Sequence, residues 1–180
     1  MINDILKYDI NFNESEFIGK VDRIFIMLLD SIMQKDITLV DHYANDKICS
    51  YVSTLIEEYN NKNVIRLFDE ANIKSTRINS FNLINNKIVI QVELISRYKD
   101  YFINENGYFV SGINDHRIET IHNLTFEKDI NAIDAGIITT CPNCGNSINA
   151  NENGVCGFCN KVVNMETYEY ILTEINTFKN

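Results

Sequence analysis

The chain has no tryptophan, a single proline and only seven glycines in 180 residues. That leaves no room for a collagenous repeat, a low-complexity tract or a long flexible linker. Basic residues are also scarce: 16 Lys and Arg stand against 25 Asp and Glu, a net charge of −9. Residues 1–60 hold 11 acids and 5 bases, residues 61–137 hold 10 and 9, and residues 138–180 hold 4 and 2, so no part of the chain is basic. Without such a face the electrostatic attraction that drives nucleic-acid binding is missing. Residues 1–10 mix Asp4, Lys7 and Asp9 with isoleucines and show neither a basic start nor an apolar stretch with a cleavage site, so secretion is not encoded. The longest apolar run, residues 24–29, falls far short of the roughly 20 residues of a spanning helix. These absences predict a cytoplasmic protein.

What is present is a folding composition. Nine Tyr and ten Phe within a 45% hydrophobic chain can build a core. Asn13-Glu14-Ser15-Glu16 offers a cap with acids in the first turn, and Phe17, Val21, Ile24, Phe25, Leu28, Leu29 and Ile32 follow at helical spacing, which predicts a helix over 14–35. A second helix is expected from near 38–41 to Tyr59, carrying Val40, Tyr43, Ile48, Val52, Leu55 and Ile56, with a weaker helical piece at 64–70. From Ile73 the period moves towards two, giving strands at 73–83, 87–98, 101–103, 108–110 and 117–126, antiparallel because their connections are short. Helices followed by a meander predict an α+β fold, with helices packed on the concave face of a curved antiparallel sheet.

Four of the five cysteines form two pairs, Cys141-Pro142-Asn143-Cys144 and, after eleven residues, Cys156-Gly157-Phe158-Cys159. Each turn sets two thiolates close enough to share one metal, and a hairpin between the turns completes a tetrahedral four-cysteine site. In a chain without an export signal this spacing predicts a zinc ribbon with one structural Zn2+, held by Cys141, Cys144, Cys156 and Cys159. An iron site with the same ligands and a redox CxxC are the rival readings. Four thiolates leave no open position for catalysis. The two units expected are an α+β domain over 1–137 and a ribbon over 138–180. The latter ends in a segment whose Tyr168, Ile171, Leu172, Ile175 and Phe178 call for docking as a short helix or a bent strand.

Candidate catalytic groups are scattered. His42 beside Asp41 reads as a solvated cap region, and His116 after Asp115 as polar loop. His122, within an apolar strand, faces either outwards or into a pocket. Asp36 and Asp100 have no partner that sequence assigns, and Cys49 has the apolar neighbours of a core thiol. Tyr98, Tyr101, Phe102, Tyr108 and Phe109 cluster across one predicted hairpin, either as cross-strand packing or as a docking surface.

The order of a Phe-rich first helix, a strand set, a Gly-containing turn and a CPxCG ribbon resembles the Tim forty-four-like family in its bacterial form with a C-terminal zinc ribbon. The likeness covers roughly residues 14–178. An Ala-Trp-x-x-x-Asp type segment falls at Ser31-Ile32-Met33-Gln34-Lys35-Asp36 and a strand-leading Gly at Val110-Ser111-Gly112. A Trp-x-Phe-x-Arg strand falls at Leu124-Thr125-Phe126-Glu127-Lys128 and an acidic-Trp-x-Leu segment at Glu169-Tyr170-Ile171-Leu172, with each Trp replaced by Ile, Leu or Tyr. The resemblance implies a cone-shaped fold of the cystatin-like, nuclear-transport-factor-like kind and a peripheral-membrane or protein-docking role. The acidic first 60 residues weigh against direct contact with anionic lipid. The expected function is therefore a non-enzymatic protein-binding or scaffold module whose partner is another protein, with no nucleic acid and with membrane contact at most indirect. Because such cones also host isomerases and dehydratases, the alternative is a small-molecule binder or pocket enzyme.

Overall fold

The computed structural model describes residues 2–130, 144–146, 158–159 and 169–179. A short helix, α1 (Ile2–Ile5), precedes the long α2 (Glu14–Gln34). The Asn13 side chain accepts from the Glu16 N–H at 3.1 Å, and Glu14 and Glu16 sit against the positive end of the α2 dipole. At the other end Lys35 turns left-handed (φ 56°), its N–H and that of Asp36 closing onto the Ile32 and Ser31 carbonyls. The apolar stripe of α2 is buried, as its spacing requires.

The second helix starts later than expected. Residues 37–43 form two single 3-10 turns, the first capped by Asp36, and α3 (Asp46–Asn61) begins only where the Asn45 side chain accepts from the Ile48 N–H at 3.0 Å. The helical piece expected at 64–70 is a strand instead. After the left-handed Asn63 (φ 52°), residues 64–69 pair with residues 99–104, and that pairing, with the β-branched Val64 and Ile65 and the aromatic Phe68 suited to a strand, outweighs the helical pattern of a short window.

Four strands, β1 (Val64–Ile84), β2 (Lys87–Asn104), β3 (Phe109–Asp129) and β4 (Ile171–Lys179), form one antiparallel meander in sequence order. The fold is α+β, with the helices on one face of the sheet. Three register shifts bend β1, and two interrupt the β2–β3 ladder. At the larger of these, Tyr98 faces Ile118 while Asp100 faces Ile113, so four residues of β3 span one of β2. Gly112 lies beside that bulge with φ 104°, and a Cβ there would stand 2.5 Å from the Asp100 carbonyl oxygen. Only glycine permits this approach.

Even-numbered residues of β2 and of β3 beyond the bulge face the helices. Ile88, Ile90, Val92, Leu94, Leu124 and Phe126 pack there against Val21, Ile24, Phe25 and Val52. The opposite face carries cross-strand ion pairs, among them Lys74–Glu119, Arg97–Glu119 and Lys87–Glu127 at 2.8 to 3.0 Å. Their exposure keeps each contribution small.

β4 brings the end of the chain into the sheet. Leu172 faces Phe126, and its carbonyl accepts from the Asn45 N–H at 3.0 Å. The docking expected of this segment thus takes the form of a strand, with Tyr170, Ile171 and Leu172 buried and Phe178 exposed. Beside it Asp9 accepts from Lys128 Nζ and from the Tyr170 hydroxyl, both at 3.0 Å, and the ammonium lies 5.3 Å from the Tyr170 ring centroid. Among the described residues no helix is long and apolar enough to cross a membrane.

Candidate functional site

A cavity of about 520 Å3 lies between α2, α3 and the helix-facing side of the sheet. From α2 come Phe25, Leu28, Leu29 and Ile32, at positions that a 3.6-residue repeat puts on one face. Val52 and Leu55 of α3, Phe68 of β1, and Tyr98 of β2 complete the apolar wall, with Ile175 of β4 at its side.

Two polar constellations are set into that wall. Arg66 donates from Nε and Nη2 to the two carboxylate oxygens of Asp100, at 2.9 and 3.0 Å, and from Nη1 to the Tyr59 hydroxyl at 3.1 Å. Its guanidinium lies 4.7 Å from the Phe68 ring centroid and 5.7 Å from that of Phe102. This bidentate, ring-flanked arrangement belongs to arginine and not to lysine. Sequence reasoning left Asp100 without a partner and did not single out Arg66. The signal lay in phase: Asp100 shares the inward parity of Leu94 and Tyr98, and a carboxylate in an inward position demands a cation.

His122 is the second. It is 2% exposed, in phase with Leu124 and Phe126, with Nε2 2.9 Å from Ser96 Oγ and Nδ1 3.0 Å from Thr177 Oγ1. The Phe25 ring centroid is 4.5 Å away. Of the two sequence readings, outward or pocket, the structure selects the pocket. Burial lowers the His122 pKa to about 4, so at neutral pH one ring nitrogen donates and the other accepts between two hydroxyls.

The sign of the linkage follows from that depression. Against an unfolded value of about 6.5, the folded protein resists taking up the proton. The His122 contribution is therefore complete above about pH 6.5 and is lost progressively down to pH 4, about 3 kcal/mol in all. Urea unfolding followed from pH 7 to pH 4 should show that loss in the parent, and a shallower one in His122→Asn. Equal pH slopes in the two proteins would refute it.

The remaining candidates do not converge. His42 Nε2 lies 3.7 Å from Asp41 Oδ1 in a 3-10 turn, and the exposed His116 lies 2.7 Å from Asp115. Asp36 accepts from the Thr38 backbone and hydroxyl. Cys49 is half-buried, its thiol 3.8 Å from the Ala44 carbonyl. The aromatic cluster divides. Tyr98 is buried, Phe102 packs on Tyr59, and the Tyr101 ring lies 6.3 Å from that of Phe109, whereas Tyr108 and Phe109, with Val110 beside them, stand 71%, 50% and 49% exposed at the tip of the β2–β3 hairpin.

The expected metal ligands Cys141 and Cys156 lie outside the described residues, while Cys144 is exposed and Cys159 half-buried. Among the described residues no three His, Cys, Asp or Glu side chains group as a metal site.

Two of the segments that carried the family resemblance, 124–128 and 169–172, meet in space against α2. Phe126 faces Leu172 across the β3–β4 ladder, Lys128 lies over Tyr170, and both Phe126 and Tyr170 pack edge-on against Phe17.

Comparison with known proteins bears on the same region. Among curated proteins no match is found. Among solved structures the chain is similar to CagV, a VirB8 homolog of the T4SS from Helicobacter pylori, at 8% identity and a TM-score of 0.44, over 93% of this chain and 99% of that one. That fit is too loose to bear on function. The Tim44-like domain family model matches residues 1–136, a span that takes in α1 to β3 and stops short of the cysteine pairs and β4. With three quarters of its length so matched, the chain belongs to the Tim44-like domain family.

Proposed function

We propose that the protein is a non-enzymatic protein-binding or scaffold module, formed of a Tim44-like unit over 1–137 and, within 138–180, a four-cysteine ribbon that holds one structural Zn2+ and is followed by the docking segment that joins the sheet as β4. The observation that carries the docking role is the hairpin tip, where Tyr108, Phe109 and Val110 expose three adjacent large apolar side chains. Such a group at the end of a sheet, where β1 also pairs with β2 up to Asn104, is what a protein partner covers. The polar groups of the cavity support the non-enzymatic reading. His122 has both ring nitrogens engaged by hydroxyls, and Asp100 is held by Arg66, so each is tied into structure. The acidic chain suits a cytoplasmic partner protein and not nucleic acid, and any membrane contact would pass through that partner.

Quantitative affinity capture tests the role. A partner retained by the parent should be lost from the Tyr108→Ser/Phe109→Ser double variant and kept by Leu83→Ser at the opposite hairpin. Equal retention by all three removes the tip from the proposal.

The zinc assignment rests on thiolate chemistry and spacing. Protein purified without added metal should contain about one zinc per chain. Cys144→Ser or Cys156→Ser should bring that close to zero while leaving the main thermal transition of the α+β unit in place. An iron-coloured protein, or a chain without metal, contradicts the assignment.

A further inference from the structure

On the face turned away from the helices, two side chains near the β1–β2 hairpin do not behave as their neighbours do. Val89 lies opposite Asn82 of β1 and Glu127 of β3, and Glu127 lies opposite Ile171 of β4. Residues opposite one another in a ladder share a face, so Val89 and Ile171 point to the side that carries the Lys87–Glu127 ion pair. Asn82, Lys87 and Gln91 around them are exposed, as on any solvated sheet face. Val89 is nevertheless only 9% exposed and Ile171 only 8%, the latter on an edge strand of the sheet. Neither belongs to the core beneath the helices. Two buried apolar side chains on a polar face call for an apolar cover, and their described neighbours there are the polar Asn82, Lys87, Gln91 and Glu127.

We propose that this patch is the seat of residues 131–140 of the same chain, with Ile133, Ile137 and Ile138 over Val89 and Ile171. β3 is held as far as Ile130, whose N–H bonds to the Asn86 carbonyl, so the segment starts beside the patch. Val89 lies two residues in from Lys87, about 7 Å along the strand, and the step from Ile130 to Ile133 reaches about 10 Å. The composition fits the role: Asp134 is the one charged residue of the segment, among three Ile and two Ala. The other flank, residues 160–168, comes back to the same end of the sheet but brings Lys161 and Glu166 with it. Cys141 follows Ile138 by three residues. A segment seated here therefore starts the cysteine pairs on the side of the sheet away from the cavity and at the end away from the hairpin tip. The surface is an internal anchor, beyond the docking role and independent of it, since it shares no residue with the tip.

The test uses the whole chain with a photoreactive benzophenone side chain at the exposed position opposite Val89, as Asn82→p-benzoylphenylalanine. After irradiation, mass spectrometry should place the crosslinks within residues 131–140 of the same chain, whereas the same group at Ser111, near the tip, should give none there. Hydroxyl-radical footprinting supplies a second readout. Val89 and Ile171 should react slowly in the parent and several-fold faster in Ile133→Ser/Ile137→Ser/Ile138→Ser, while the exposed Leu83 reacts equally in both. The crosslinking keeps the segment intact, so it decides even where that triple variant does not fold. Crosslinks to residues 160–168, crosslinks between two chains, or none at all overturn the proposal, as does an unchanged rate at Val89 and Ile171 in a folded triple variant. Such a failure leaves the hairpin tip and its partner untouched, since the capture experiment reads those separately.

Discussion

A chain ended at Val163 is expected to lose its cooperative fold, because the strand it lacks is part of the core of the first 130 residues. Leu172 is 1% exposed against Phe126, with Tyr170 and Ile171 at 7% and 8%. Burying three such side chains is worth about 5 to 9 kcal/mol, which rivals the whole stability of an ordinary domain, about 5 to 15 kcal/mol. The truncation also removes the hydroxyl of Tyr170 from Asp9, that of Thr177 from His122, and the Leu172 carbonyl from the start of α3. It uncovers residues 120–127 of β3 as an unpaired edge, a template for aggregation. Circular dichroism should show no sigmoidal melt, and size exclusion should show association. A chain in which residues 141–163 are replaced by a flexible linker, with β4 retained, should melt close to the parent. If instead the truncated chain melts as the parent does, β4 is an accessory and not a member of the core.

The extent to which such features were legible in the sequence depended on how local their causes are. Helix α2 was legible almost to the residue because its cap, its acidic first turn and its stripe lie within 22 residues. The start of α3 was missed because Asp36 and Asn45 are both good caps, and the choice between them is made by the carbonyl of Leu172, far along the chain. Residues 64–69 were misread as helical because their strand character comes from partners at 99–104. The site was legible only in part. His122 was visible as one polar residue in an apolar strand, but its partners come from two other strands. Arg66 and Asp100 are 34 residues apart, and only the register of β1 on β2 joins them. Gly112 stood in the family pattern without a reason until the bulge set it against the Asp100 carbonyl.

The other large effect is expected at the buried ion pair of Asp9 and Lys128, whose side chains are 7% and 8% exposed. Lys128→Met removes the ammonium and leaves a carboxylate out of water, its remaining described partner the hydroxyl of Tyr170. Losing one member of such a pair costs about 3 to 5 kcal/mol, or roughly 10 °C in melting temperature for a chain of this size. Replacing both groups, as Asp9→Leu/Lys128→Met, removes the stranded charge together with its cause. The double variant should therefore be more stable than the single one, a reversal that simple loss of packing does not produce. Because the pair is shielded from ions in solution, the cost should also persist in high salt, unlike that of the exposed Lys74–Glu119 bridge. The pair ties the N-terminal segment to β3, and through Tyr170 to the entry of β4, beside the point where the Ile130 N–H bonds to Asn86. Lys128→Met should accordingly raise amide exchange at residues 8–12 and 170–172 together, ahead of global unfolding. A cost below about 1 kcal/mol, or a double variant weaker than the single one, would show that the three groups meet without holding the two ends of the chain in place.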